Sequence, residues 1–249
     1  MDEKKTHFGY EEVSWKDKQS RVNQVFSSVA GRYDLMNDLM SMGLHRLWKD
    51  EAVRILAPEE GETIVDLAGG TGDLSRRILK RMHGRGQVIL SDINLAMLRE
   101  GVKRLDRSGH LSGVHYCVLN AETLPFEAAS VDGITIGFGL RNVRDQAAAL
   151  KEMFRVLKPG GRALILEFSK MHGPLAKPYD WYSFHILPKM GALVTGDSDS
   201  YRYLAESIRK HPEQEILKNN LYQAGFEEVY YRNLLQGLVA IHLARKALV

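Results

Sequence analysis

The chain has 249 residues, enough for one α/β domain with an additional lobe. Its 34 Lys and Arg nearly balance 31 Asp and Glu, so the charge demands no nucleic-acid partner. Cys117 is the single cysteine, which excludes an internal disulfide or a cysteine metal cluster, and no run of about twenty apolar residues offers a membrane span. The histidines lack a ligand spacing such as H-E-x-x-H, so no metal is expected.

The polar start, Met1–His7, is neither a secretory signal nor an Arg-rich transit peptide, and the chain reads as cytoplasmic. Residues 1–15 read as loosely ordered. From Lys18 to about Leu56 apolar residues recur at helical spacing: Val22, Val25, Phe26, Val29, then Leu35, Met36, Leu39, Met40, then Leu44, Leu47, Trp48. These helices precede the first strand, so residues 1–56 are expected to form a cap beside a main unit at 57–249. Strands are predicted at 63–67, 87–91, 114–119, 131–136 and 162–168, with helices at 72–82, 94–106 and 146–157 between them. Asn94 is placed to cap the second helix. Gly160-Gly161 should make a turn into the fifth strand. Such alternation means a parallel sheet with right-handed crossovers. The aromatic and Met-rich segment 170–212 breaks the rhythm as an inserted helical lid. A helix at 213–224 follows, then strands at 227–232 and 238–244, close enough to form a terminal antiparallel hairpin. Cys117 reads as a buried strand residue, and Lys80, Arg81, His83 and Arg85 as a solvated helix end.

The chemistry concentrates where the first strand meets a glycine-rich turn, Thr63-Ile64-Val65-Asp66-Leu67-Ala68-Gly69-Gly70-Thr71-Gly72-Asp73. A second apolar run ends about twenty residues later at Asp92, a residue able to accept hydrogen bonds from both ribose hydroxyls. A nicotinamide site wants G-x-G-x-x-G against a pyrophosphate; the spacing here fits poorly, and Asp66 would repel the phosphates. S-adenosylmethionine carries an ammonium, a carboxylate and a sulfonium, which Asp66 and the loop amides could face. The loop resembles the first motif of class I methyltransferases, with Ala68 at the first glycine position. Asn120-Ala121-Glu122-Thr123-Leu124-Pro125-Phe126 resembles their adenine-binding segment, and Leu157-Lys158-Pro159-Gly160-Gly161 matches a further motif. The resemblance implies a Rossmann-like fold with a mostly parallel seven-stranded sheet.

The stretch after the fourth strand, Gly137-Phe138-Gly139-Leu140-Arg141-Asn142-Val143, lacks the N-P-P-Y of nucleic-acid amine methylases and the carboxylates of metal-dependent catechol methylases. Longer strings then narrow the choice. Tyr33 to Lys49, Gly139-Leu140-Arg141-Asn142, Arg155 to Lys170 and Asp199 to Ile208 resemble the UbiE/MenG/Coq5 family, the C-methyltransferases of ubiquinone and menaquinone biosynthesis. The likeness runs from about Thr6 to the C-terminus and is closest to bacterial members.

This resemblance implies S-adenosylmethionine as methyl donor, without a metal, and a polyprenylated quinol as acceptor. Asp66, Gly70, Thr71, Gly72, Asp92, Asn120, Ala121 and Gly137 are the expected cofactor positions. Gly137 stands where the family commonly carries a serine, so a hydroxyl contact is absent there. Arg141 is the expected activator, stabilising a phenolate whose ring carbon attacks the sulfonium methyl. Asn142 would hold a ring oxygen, and Tyr33 and His45 would complete the site. The lid, Trp181–Pro188 through Leu193-Val194, would line a channel for the ring and tail. A lipid-borne substrate further implies loose peripheral contact at the inner membrane face, and the family leaves a homo-oligomer or a quinone-synthesis complex open. Another small-molecule or RNA acceptor, or a non-catalytic cofactor-binding scaffold, remains the alternative on sequence alone.

Overall fold

The chain opens with a hairpin. Strands β1 (Lys5–Phe8) and β2 (Glu11–Ser14) pair antiparallel around Gly9-Tyr10, so the stretch expected to be loose is an ordered element. Gly9 takes φ +59°, and any side chain there would collide with Glu206. Phe8 stacks on Tyr203 with ring centroids 4.1 Å apart, which anchors the hairpin. The computed structural model describes residues 5–107, 109, 112–195 and 198–248.

Three helices follow, matching the periodicity of 18–56. Ser14 caps α1 (Trp15–Val29) by accepting from the Asp17 amide. Helix α2 (Tyr33–Ser41) ends where Met42 and Gly43 adopt φ +51° and +77°, and α3 (His45–Leu56) turns back. Their buried faces join the sheet in one apolar core: Val22, Met36, Met40 and Trp48 pack with Ile64, Leu166, Phe168 and Ile241.

The α/β alternation then runs β3 (Thr63–Leu67), α4 (Asp73–Arg81), β4 (Gln87–Ser91), α5 (Leu95–Arg107), β5 (Val114–Cys117), β6 (Val131–Gly137), α6 (Gln146–Val156) and β7 (Leu157–Phe168). A lid of α7 (Ala176–His185), α8 (Leu187–Thr195) and α9 (Ser198–Lys210) interrupts it. Helix α10 (Gln214–Ala224) ends at Gly225, φ +113°, and β8 (Glu228–Leu234) and β9 (Val239–Arg245) form the terminal hairpin. The seven-stranded sheet has the order β5-β4-β3-β6-β7-β9-β8. Its first five strands are parallel, and β9 joins β7 antiparallel. Strand order reverses about β3, which opens a ligand crevice beyond the carboxyl ends of β3, β4 and β6.

Two expectations need correction. Strand β7 starts at Leu157, because Leu157 pairs with Val131 and Arg162 with Gly133, and the Pro-Gly-Gly residues bulge between them. Gly160, at φ +76°, uses its amide on the carbonyls of Lys246 and Ala247, so this turn is an excursion within the strand. Cys117 is half-buried, since it ends the edge strand β5, which has a neighbour on one side only. The Lys80, Arg81, His83 and Arg85 side chains are exposed at the end of α4, as expected.

The lid is fastened to the N-terminal helices. Tyr179 and Tyr182 donate their hydroxyls to the carbonyls of Met40 and Leu39, at 3.2 and 2.9 Å. Trp181 and Phe184 point outward, while the side chains of Leu193 and Val194, expected in a channel, lie outside the described residues.

Candidate active site

The turn after β3 carries strain in its backbone. Ala68, Gly70 and Gly72 take φ of +48°, +55° and +74°. Glycine does so freely; the alanine does not. At Gly69 a side chain would fall 2.8 Å from the Asp66 carboxylate and 2.5 Å from Leu90. The loop therefore lies tight over the strand ends.

Asp66 does not face the crevice. It is fully buried beneath the loop, and its Oδ2 accepts from the Ser75 amide (3.0 Å) and hydroxyl (2.6 Å) while Oδ1 accepts from Thr135 (2.9 Å). Burial pushes its carboxyl up to about 6 against those hydrogen bonds. It pins β3, α4 and β6 together, in place of the expected contact with a cofactor's positive end. Asp92, at the end of β4, is different: it lines the crevice. Oδ2 accepts from the Gly70 amide at 3.0 Å and Oδ1 from the Asn94 amide at 2.8 Å. Each oxygen thus has further accepting capacity. Burial pushes this carboxyl to about 6 as well.

Asn94 caps α5 by accepting from the Ala96 and Met97 amides, and its Nδ2 donates to the Asn23 carbonyl and the Ser27 hydroxyl of α1. That bond docks α1 over the crevice, where Gln19, Asn23 and Phe26 form one wall with Tyr33. Asn120 and Ala121 line the opposite wall, with the Asn120 Oδ1 accepting from the Glu122 amide in an Asx turn. Phe138, Gly139 and Asn142 close the third side.

Several expected residues point elsewhere. Thr71 and Gly72 line a separate polar cleft between α2 and α5, because the loop turns outward after Gly70. Gly70 meets the crevice only through Asp92. Gly137 does not line it; a side chain at 137 would meet Leu74 of α4 at 2.5 Å, since alternation along β6 turns this position to the other sheet face. His45 also lies in the polar cleft, bonded to Asp38 at 2.8 Å, because helical spacing puts it on the Lys49 face of α3. Burial and then Lys49 lower its pKa, against the pull of Asp38. It is not beside Arg141.

Arg141 is not in the crevice either. The turn Leu140–Asn142 presents Asn142 to the crevice and Arg141 to the interior. Its Nη1 donates to Glu167 at 2.5 Å and to the Phe138 carbonyl at 2.7 Å, with both partners of the ion pair nearly inaccessible. Burial raises the Glu167 pKa and Arg141 opposes it. Tyr203, on the lid, donates to the Asn142 Oδ1 at 2.9 Å. Tyr33 is half-buried in the crevice wall; burial raises its pKa and the nearby Arg141 charge lowers it.

Glu167, Tyr203 and Asn94 were missed as site residues. Glu167 had a signal: a lone acid in the apolar run Ala163–Phe168 must find a buried partner. Tyr203 and the α1 wall had none, since their contacts join segments far apart in sequence.

The model of the ubiE/COQ5 methyltransferase family matches residues 14–246. The chain belongs to the ubiE/COQ5 methyltransferase family. It is 52% identical over 244 residues to the ubiquinone/menaquinone biosynthesis C-methyltransferase UbiE of Francisella philomiragia, covering 98% of each chain. It is 54% identical over 242 residues to that of Klebsiella pneumoniae, covering 97% of this chain and 96% of the relative. Among solved structures, a putative S-adenosyl-L-methionine-dependent methyltransferase from Methanococcus maripaludis aligns with a TM-score of 0.59 at 17% identity, covering 99% of this chain and 97% of that one. At that identity the likeness shows the fold, a class I methyltransferase sheet. Family and fold together support S-adenosylmethionine as the methyl donor of this ubiE/COQ5 member. No helix among the described residues is long and apolar enough to cross a membrane.

Proposed function

We propose that this ubiE/COQ5 member methylates a ring carbon of polyprenylated quinols, converting demethylmenaquinol to menaquinol, 2-methoxy-6-polyprenyl-1,4-benzoquinol to its 5-methyl derivative, or both. The observation that carries this is identity above one half with UbiE relatives over nearly the whole chain, covering the helical cover as well as the sheet. Part of that cover, α1 and Tyr33, lines the crevice, and it is the site and not the shared sheet that decides the acceptor.

The crevice fits S-adenosylmethionine. Asp92 keeps accepting capacity for ribose hydroxyls, and Asn120 and Ala121, on the crevice wall, would meet the adenine edge. The donor supplies an electrophilic methyl group on a positively charged sulfur. A quinol carbon becomes a strong enough nucleophile when the neighbouring hydroxyl loses its proton, and a phenol of pKa about 10 needs help at neutral pH. Asn142 would donate to that oxygen through the Nδ2 hydrogen not turned toward the Phe138 carbonyl (3.5 Å), while Tyr203 occupies its Oδ1. Arg141 would act at a distance, as the positive end of the buried Arg141–Glu167 pair behind Asn142 and Tyr33: its charge favours a developing phenolate, and Glu167 offsets part of that effect. Glu167 holds the guanidinium in place. Tyr33 and Phe26 would flank the ring. Residues 1–56 and the lid 170–212 serve as cap and channel, fastened at Tyr179 and Tyr182, and the outward-facing Trp181 suits loose contact with the membrane that carries the substrate.

The test is mass spectrometry of lipid quinones from a strain lacking the gene, with and without its return. Accumulation of one or both unmethylated quinols, cleared on restoration, is expected; accumulation of both would show both activities. Normal quinones in the deletion strain would overturn the reading. In purified protein, Asn142→Ala should lower kcat by about tenfold or more while cofactor affinity stays within about twofold.

A further inference from the structure

Beside the crevice lies a second cavity of about 110 Å³. It is enclosed by the hairpin β1–β2, by α1, by the Leu140–Asn142 turn, by the start of α6 and by the end of α9. The quinol reading makes no use of it. Its lining is cationic: Lys18, Arg141 and Lys210 carry fixed charges, and His7 and His211 add imidazoles. No carboxylate among the described residues lines it.

Three of these groups have donors or acceptors left over. His211 is 7% exposed, and neither ring nitrogen has a hydrogen-bond partner among the described residues. The Arg141 Nε is equally buried and unpartnered. Lys18 is 8% exposed, and its ammonium donates to the Val143 carbonyl at 3.1 Å, which uses one of its three N–H groups. Burial lowers the Lys18 pKa, against a favourable pull from Glu122. The neighbouring acids do not enter the recess: Glu167 is paired with Arg141 through Nη1 and also takes the Phe168 amide, Glu122 holds Arg144 and the Asp145 amide, and Glu206, beside Gly9, accepts from the Tyr10 amide.

A buried guanidinium N–H without an acceptor is costly, and so is a buried imidazole with both nitrogens idle. A small oxyanion removes both costs. Bound there, it would accept from the lining donors Lys18, Arg141 Nε, Lys210 and the N–H of His211, the first three by charge-assisted bonds. The cavity is large enough for one tetrahedral anion.

We propose that this recess is a binding site for a small oxyanion of the phosphate or sulfate type. Bound there, the anion ties the hairpin, α1 and α9 to the turn that carries Arg141 and Asn142. Tyr203 lines the recess and bonds Asn142, so occupancy is mechanically linked to the crevice. The site does not rest on the methyl-transfer reading, because it is read by binding alone.

The test is isothermal titration of the full-length protein with inorganic phosphate and, separately, sulfate, in chloride buffer of matched ionic strength. One saturable site is expected. Lys210→Met, at an exposed position that leaves the fold intact, should weaken binding by about tenfold, and Lys18→Met by as much or more. The His211 ring signals in a nitrogen-15 spectrum should shift with phosphate and not with chloride. Equal responses to chloride, or an unchanged affinity in Lys210→Met and Lys18→Met, would overturn the proposal. So would competition between phosphate and the quinol acceptor, which would make the recess part of the acceptor site.

Discussion

Asp66 and Asp92 end adjacent parallel strands, both are buried, and burial pushes both carboxyls to about 6. Their surroundings nevertheless give them opposite work. Asp66 spends both oxygens on Ser75 and Thr135, so it holds two strands and a helix in register. Asp92 accepts two loop amides and still faces the crevice. Burial and a displaced titration therefore do not separate a structural acid from a binding one. The count of hydrogen bonds already made does.

The same substitution at both positions sharpens the contrast. Asp66→Ala leaves two hydroxyls and one amide without their acceptor and opens a hole under the loop; a loss of about 3 kcal/mol is expected in urea unfolding. Whatever fraction folds should bind the cofactor within about threefold of the parent. Asp92→Ala should lose about 2 kcal/mol of cofactor binding, roughly 30-fold in Kd by calorimetry, with a smaller fall in stability. If the two variants lost affinity equally, the division of labour drawn between them would be wrong.

A third, smaller effect comes from pH. In the cofactor-free protein each carboxyl titrates above its unfolded value of 3.8, so the native state holds the proton more tightly. Stability from these groups is present below the unfolded value and is lost as pH rises through about 6. Cofactor affinity moves the other way, because ribose hydroxyls need the ionised Asp92. It should fall roughly tenfold between about pH 7.5 and about pH 5, and Asp92→Ala should flatten that slope. The smallest effect belongs to the loop that joins the two acids. Ala68→Gly relieves a left-handed alanine at φ +48° and should raise stability by about 0.5 kcal/mol, net of the extra freedom of the unfolded chain.

Much of the frame was legible in the chain. Apolar runs bounded by Gly and Pro located β3 and β4 to the residue, and the cap of α5 by Asn94 followed from its side chain. The hairpin at its start was legible too, with hindsight: Gly9-Tyr10 between alternating residues is a two-residue turn signal, easily lost among charged neighbours. The site was read less well. Asp92, Asn120, Ala121, Tyr33 and Asn142 line the crevice. Asp66, Thr71, Gly72, Gly137, His45 and Arg141 do not. A string of residues gives identity and spacing, but the direction of a side chain at a loop end depends on which partner claims it. Arg141 is claimed by Glu167, 26 positions away, and no local pattern could show that.

The order of the sheet has a consequence for how the molecule is made. Strand β9, which follows all the others in sequence, is not at the rim; it is wedged between β7 and β8 and pairs with β7 from Arg162 to Phe168. Until β9 has been made, β7 presents an open, apolar flank. The nascent chain can assemble its parallel half early, but closure waits for β9. Loss of the tail would strip two neighbours at once, and quality control would meet an exposed seam in place of a frayed end.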